Sequence, residues 1–274
     1  MTDAQSPAGP EDRVLVEVRD AVARVTLNRP AKHNGLDLPM LRGLVAAGRQ
    51  VRADPSVRAV ILRGAGPAFC AGLDFASVGK QRRAAARAAA KLPGGLNLFQ
   101  RACWIWRELP VPVIAVLHGH CFGGGMQLAL AADFRFATPD CELSIMEARW
   151  GLIPDMTGSV TLRELVPMDV AKRLTMTGEV FDGRQAAGYG LVTEAVDDPA
   201  AAARQLADQL MRRSPDALAA AKKLLHSTWS QSPRRAFWTE TALQARLLAG
   251  ANHRIARSAN LRRETPEFVS RRSR

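Results

Sequence analysis

Two patterns of apolar spacing alternate along the first two thirds of the chain. Val14–Val18 and Val22–Leu27 carry β-branched residues on either side of Arg19-Asp20, which predicts two strands joined by a hairpin turn. From Leu38 to Ala53 the apolar positions Leu41, Leu44, Val45 and Val51 fall near helical spacing. Val57–Leu62 is a run rich in β-branched residues that meets Gly64-Ala65-Gly66-Pro67, the mark of a buried strand followed by a turn. Gln81 to Lys91 is rich in Ala and Arg and almost without large apolar side chains, so it predicts an exposed or mobile helix, broken at Pro93-Gly94-Gly95. An amphipathic helix is expected from Leu96 to Leu109, then a strand over Val111–Leu117 beside Pro110 and Pro112, ended by Gly119. The triple glycine 123–125 opens a helix through Met126 to Ala131, and Phe134–Ala137 and Leu143–Met146 predict two short strands. After Val160 the pattern is mainly helical, with one extended piece at Leu191–Val196.

No linker divides the chain. The composition passes from mixed α/β to nearly all-α near Asp197–Pro199, which predicts a core over 13–197 and a helical subdomain over 198–274, with a flexible segment 1–12 ahead of them. The order strand, strand, helix recurs without any repeat of residues, as stacked ββα units would produce. At 274 residues and 47% apolar, the chain has the make-up of a soluble globular protein with a sizeable core. The start is polar and acidic, with neither the basic end nor the apolar stretch of a secretory or transit peptide, so a cytoplasmic, membrane-free protein is expected. Cys70, Cys103, Cys121 and Cys141 form no CxxC pair, which argues for reduced thiols and against a zinc site.

The net charge of +12 suits nucleic acid or a small anionic ligand such as a nucleotide or coenzyme A. Its densest cluster is the tail, with Arg254, Arg257, Arg262, Arg263, Arg271, Arg272 and Arg274. No RNA-binding or zinc-finger signature accompanies it, and the single tyrosine offers little base stacking, so nucleic acid is the less favoured partner.

Three short segments carry the candidate chemistry: Phe69-Cys70-Ala71-Gly72-Leu73-Asp74, His118-Gly119-His120-Cys121-Phe122-Gly123-Gly124-Gly125, and Met146 to Asp155. Gly72 and Gly124 permit sharp turns and close backbone approach to a ligand, and a helix beginning in the glycines offers unpaired N–H groups. Two such donors on a thioester carbonyl would acidify its α-carbon, and Glu147 and Asp155 supply carboxylates to move the proton. Each piece alone is equally a tight turn or a surface carboxylate; the joint order is what suggests a site. His118 and His120, at a strand end, read as packing or hydrogen-bonding residues. Neither GxGxxG nor GxxxxGK[ST] occurs.

From about Val14 to Phe268 the chain resembles the crotonase superfamily of enoyl-CoA hydratases and isomerases. The likeness rests on Asn28-Arg29-Pro30 with Asn34-Gly35-Leu36, on Phe69 to Asp74, on Gly119 to Gly125, and on Ala131-Ala132-Asp133-Phe134 and Gly151-Leu152-Ile153-Pro154. Leu174-Thr175-Met176-Thr177-Gly178 and Ala186-Ala187-Gly188-Tyr189-Gly190-Leu191-Val192 extend it. The resemblance implies an α/β spiral of stacked ββα units with a helical C-terminal subdomain that serves packing and the acyl pocket, assembled as trimers or pairs of trimers. It implies oxyanion-hole N–H groups at Leu73 and Gly124, and an acyl-CoA bent through Ala71, Gly72 and Asp74 and past Gly123. The adenine end would lie near Lys32 and the acyl end near Glu147, with coenzyme A as part of the substrate and no tightly bound cofactor or metal.

One position departs from that pattern. Hydratases of the family use two glutamates; the later corresponds to Glu147, and the earlier is Gln127, an amide that neither accepts nor releases a proton at neutral pH. Family members that shift double bonds work with one glutamate, so isomerisation is placed slightly ahead of hydration. Family dienoyl-CoA isomerases carry an aspartate at the offset of Asp155 beside an acid at the Gln127 position; here two of that trio remain. Asp155 is a secondary acid or a loop cap, with Arg149 as a candidate ion-pair partner, and Gln127 is a candidate to orient a water. Hydrolysis, dehalogenation and non-catalytic binding of an acyl-CoA or RNA stay open.

Overall fold

Val14–Arg19 (β1) and Val22–Leu27 (β2) pair antiparallel through a two-residue turn in which Asp20 and Ala21 take φ of 51° and 59°. That left-handed geometry matches the natural twist of a hairpin. The computed structural model describes residues 12–91 and 95–271. The segment before them, Pro93 and Gly94 of the expected helix break, and Arg272 and Arg274 of the basic tail lie outside the described residues.

Leu38–Ala53 (α1) starts at Asp37, whose carboxylate accepts from Met40 N at 2.8 Å. Ala59–Gly64 (β3) begins two residues later than the apolar run, because Asp54 holds Ser56 in a turn and pairing with β2 opens at Ala59↔Val22. Next come Phe75–Lys80 (α2), Arg82–Ala89 (α3) and Leu98–Arg107 (α4), the last opened by a capping box between Asn97 and Gln100. The Ala/Arg helix α3 is largely exposed, as its composition predicts, and buries Ala88. Val113–Leu117 (β4), buried throughout, is followed by His120–Phe122 (β5) and Gly124–Leu130 (α5).

Phe134–Ala137 (β6) and Glu142–Ser144 (β7) follow. The expected strand Leu143–Met146 is cut short: pairing with β5 stops at Ser144, and Met146–Trp150 coils into a 3₁₀ helix. Gly158–Leu165 (α6), Met168–Thr177 (α7) and Gly183–Tyr189 (α8) lead to Glu194–Ala195 (β8). The expected extended piece 191–196 shrinks to these two residues, because Leu191 and Val192 turn back to donate to the Ala186 carbonyl after Gly190 (φ 85°). Pro199–Met211 (α9), Pro215–Thr228 (α10), Pro233–Leu248 (α11) and Ala251–Arg262 (α12) complete the chain.

The main sheet has the order β1-β2-β3-β4-β6-β8, parallel beyond the first hairpin. A second, shorter layer is built from the parallel β5–β7 pair and the parallel bridges Leu36↔Leu73 and Cys70↔Cys121. Each turn of chain therefore contributes a strand to the main sheet, a short piece to the second layer and a helix, the ββα recurrence expected of a spiral. Between the layers and α1, α4 and α5 lies the larger core, with Trp106, Phe69, Leu41 and Leu44 inside it. The other face of the sheet, with Ile61, Ile114, Val116 and Phe136, is covered by Ala203 and Ala207 of α9. Among the described residues no helix is long and apolar enough to cross a membrane.

Candidate active site

The first turn of the site is held in place before it reaches Leu73. Phe69 N and Cys70 N donate to the carbonyls of His118 and His120, each at 2.9 Å, so the segment runs beside β5. Ala71 N donates to His33 O at 2.8 Å, Leu36 N to Gly72 O at 2.8 Å and Asp74 N to Leu36 O at 3.0 Å. Leu73 stands between these bonded neighbours, and its own N–H has no backbone acceptor among the described residues. Gly72 sits at φ 90°, where a Cβ would come 2.8 Å from Phe122 O and 3.6 Å from Gly124 N. Only glycine fits there, and the same distances bring the first turn against the second.

In the second turn Gly123 adopts φ 49° and ψ −117°, donates to Ser144 O at 2.9 Å and accepts from Gln127 N. Gly124 is the first residue of α5, so its N–H has no partner inside the helix. Gly125 lies against Cys70: a Cβ there would fall 2.7 Å from the cysteine Cβ. Two N–H groups without a backbone acceptor among the described residues, Leu73 and Gly124, thus stand on adjoining turns.

Glu147 comes to the same place from the 3₁₀ helix Met146–Trp150; its Oε1 is 3.5 Å from where a Cβ on Gly123 would sit. It is 9% exposed. Gln127, 1% exposed and on the facing side of α5, donates from Nε2 to Glu147 Oε1 at 2.6 Å. The Gln127 carbonyl accepts from Met156 N at 2.8 Å and Gly158 N at 2.9 Å. Glu147 Oε2 is buried without a hydrogen-bond partner among the described residues. Burial raises the Glu147 pKa from its ordinary value, the bond from Gln127 partly opposes this, and the charge of Asp155 adds to it.

Asp155 is exposed on the loop before α6, close enough to act electrostatically on Glu147 and on the Cys103 thiol of α4. Arg149 is also exposed and makes no ion pair with Asp155 among the described residues, so that expected pairing does not form. The Asp74 side chain is occupied by the fold: it caps α2 by accepting from Ser77 N at 2.9 Å and takes Arg29 Nη1 at 2.8 Å. Desolvation would raise its carboxyl, but bonds from Ser77 and Arg29 prevail and hold it at about 2. Lys32 is exposed at the end of the short helix Pro30–Lys32, next to His33, whose carbonyl holds Ala71. Ala71 is exposed beside it.

His118 Nε2 lies 3.0 Å from Gly66 O, and the His120 ring stacks between His33 and Phe122 with Nδ1 2.9 Å from Glu142 Oε2. Both histidines are thus engaged in packing and polar contacts. Sequence reading missed how far Arg29 and Asn34 build the first turn. Arg29 also bonds Gly35 O at 3.0 Å, and the wholly buried Asn34 donates to Ala65 O and Ala68 O, each at 2.8 Å. Both residues were visible as motif letters, but nothing in the letters indicated their partners. The clamp of Met156 and Gly158 on Gln127 had no signal at all.

The family whose model matches residues 17–271 is described as enoyl-CoA hydratase/isomerase. The enoyl-CoA hydratase EchA19 of Mycobacterium tuberculosis is 30% identical over 267 residues, covering 96% of this chain and 98% of its own. An (E)-benzylidenesuccinyl-CoA hydratase of Thauera aromatica is 32% identical over 213 residues, 77% of this chain and 80% of that one. Among solved structures, an enoyl-CoA hydratase from Polaromonas sp. JS666 superposes with a TM-score of 0.85 at 28% identity, covering 93% of this chain and 99% of that one. With its spiral of ββα turns and a match along nearly its whole described length, the chain belongs to the enoyl-CoA hydratase/isomerase family, has the crotonase fold, and is an enzyme of the kind that acts on CoA thioesters.

Proposed function

We propose that this enzyme moves a double bond in an enoyl-CoA with Glu147 as its single acid/base. The observation that carries the reading is Gln127: the buried partner of Glu147 is an amide with its carbonyl already engaged by two backbone N–H groups. It has no proton to give or take at neutral pH. In a 3-enoyl thioester, Glu147 Oε2 takes a proton from C2 and the electron pair delocalises onto the thioester oxygen. The N–H groups of Leu73 and Gly124 hold that oxygen, each well-placed donor being worth about 2.7 to 4 kcal/mol. Protonated Glu147 returns the proton at C4, and the double bond finishes conjugated with the carbonyl. A raised carboxyl pKa suits both halves, because it makes the ion a better base and brings the acid nearer the operating pH.

Hydration of a 2-enoyl-CoA is the second reading. It is favoured by the electrostatic contact of Asp155 with Glu147, which offers a second carboxylate, and by relatives that are themselves named hydratases. In either case coenzyme A enters as part of the substrate, with its adenine end near exposed Lys32 and its chain bent at Ala71, Gly72 and Gly123. No tightly bound cofactor is required. We further infer a cytoplasmic homotrimer or dimer of trimers, in which residues 198–274 pack one chain on another. Support comes from α11, which buries none of its residues while exposing Phe237 and Trp238.

Product analysis by mass and chromatography tests the reading. Medium-length 3-enoyl-CoA should convert to its 2-enoyl isomer with no gain of water, and Glu147→Ala should abolish the conversion. A 3-hydroxyacyl product from 2-enoyl-CoA would replace isomerisation by hydration. If neither thioester is consumed while free CoA still binds, the site serves another enolate chemistry or binding alone. Binding of RNA with a steep salt dependence would assign the basic surface to nucleic acid instead.

A further inference from the structure

We propose that Gln127 is the positioning residue of this site: its amide commits Oε1 of Glu147 to the fold and leaves Oε2 as the one oxygen that carries the proton. The inference rests on Glu147 being the acid/base. The amide has a task beyond its inability to ionise.

The geometry fixes the direction of the amide. Its carbonyl oxygen accepts from Met156 N and Gly158 N at 2.8 and 2.9 Å, which uses both lone pairs, so the NH₂ end must face Glu147. There Nε2 donates to Oε1 at 2.6 Å, a short bond from a neutral amide to a carboxylate oxygen. The side chain is 1% exposed, so no bulk water competes for any of these groups. Neither glutamate nor methionine, the side chains nearest to it in size, does all three things. A glutamate could accept from Met156 and Gly158 but would set a second carboxylate against Oε1, and the pair would have to share a proton. A methionine fills the space but strands two N–H groups and Oε1. The other carboxylate oxygen, buried without a partner, is the atom left for chemistry. Because Met156 and Gly158 flank the start of α6, the same amide also fixes the loop that carries Asp155.

The titratable groups facing Glu147 are Asp155 from that loop and the buried Cys103 thiol from α4; Arg149 is on its own 3₁₀ helix and exposed. All of them persist when Gln127 is replaced, so a change in Glu147 ionisation reports on the amide, through its bond to Oε1 and through its hold on the loop that carries Asp155.

The test follows the Glu147 carboxyl by ¹³C NMR in glutamate-labelled protein across pH, with Glu147→Gln to assign the signal, and the pH dependence of kcat/KM beside it. In Gln127→Met the Glu147 titration should move to higher pH, the acid limb of the rate profile should move with it, and kcat should fall at least roughly tenfold. In Gln127→Glu, which keeps the acceptors for Met156 and Gly158 if the methionine variant does not fold, the two carboxyls should titrate as a coupled pair. Unmoved Glu147 titration in folded Gln127→Met, or two independent titrations in Gln127→Glu, would overturn the proposal. Loss of the catalytic reading looks different: Glu147→Ala would stay active, while the Glu147 titration would still shift in the Gln127 variants.

Discussion

The site is decided by the surroundings of a few atoms. Glu147 is buried with one oxygen unpaired, and its pKa is raised chiefly by desolvation. A carboxyl whose folded pKa lies above its unfolded value opposes folding when ionised. That opposition is full above the folded pKa and vanishes as pH falls to the unfolded one. Glu147→Gln is therefore expected to be more stable than the wild type at neutral pH, with the difference shrinking toward pH 4, as thermal unfolding at a series of pH values would record. The same variant should lose roughly 10²- to 10⁴-fold in turnover, the usual worth of a positioned proton-transfer group. Gly72 is the complementary case, since its role is entirely backbone. At φ 90°, with Phe122 O 2.8 Å from the absent Cβ, Gly72→Ala has to strain or displace the turn. A loss of about 1–3 kcal/mol in denaturant unfolding is expected, together with a fall in kcat as Leu73 N–H moves off the oxyanion. Retention of both stability and kcat would show that the turn yields without moving the donor.

At the scale of elements, the sequence was readable wherever a segment carried its own signal. The β1–β2 hairpin, α1 and β4 stand where apolar spacing and turn residues place them, because buried parallel strands read as continuous apolar runs and capped helices start at Asp and Asn. His120–Phe122 did not read as a strand: three residues carry no period, and their pairing is supplied by Glu142–Ser144, some twenty residues away. The two glycine turns and Glu147 were legible for the opposite reason, since glycines and a carboxylate in that order are rare enough to be noticed. The locks behind them, Arg29 on Asp74 and Gln127 on Met156 and Gly158, are long-range and left no local trace.

The docking of α10 onto the core is another such lock. Lys222 Nζ reaches Trp106 O at 3.0 Å, Val111 O at 3.1 Å and Asp133 Oδ2 at 2.7 Å, and Asp133 in turn accepts from Val113 N. Lys222→Met leaves that aspartate and two carbonyls without their cation, and should cost roughly 3–5 kcal/mol, the usual price of breaking a buried pair on one side. Beside it, burial first and the charge of Arg107 second lower the His226 pKa from 6.5 to about 4. A histidine depressed in the fold favours unfolding once protons bind the unfolded chain. Its contribution to stability is thus whole above pH 6.5 and declines as pH falls toward 4. His226→Gln should flatten the stability curve in that window; an unchanged slope would mean that His226 is solvated in the fold.

For the whole molecule the question is what the C-terminal helices face. In one chain, α9 is already committed to the main sheet and α10 is pinned by Lys222, yet α11 buries none of its residues. Phe237 and Trp238 are 62% and 70% exposed, with Trp229 and Leu248 also open to solvent. An apolar helix face of this kind usually marks a contact surface. The described residues of the tail do not cover it, because Arg271 runs back to the end of α1 and donates to the carbonyls of Arg52 and Asp54 at 3.1 and 2.8 Å. On the proposed trimer or dimer of trimers, light scattering of the purified enzyme should return three or six times the 29.7 kDa of one chain. Trp238→Arg should shift the particle toward the monomer, since it adds a charge to a face that already carries Arg234 and Arg235 and repels its own copy. Association driven by the apolar face would persist in high salt, whereas contacts made by the surplus positive charge would loosen or tighten with ionic strength. A wild-type particle of monomer mass, with kcat intact, would mean that one chain is the working enzyme and that α11 faces water in it.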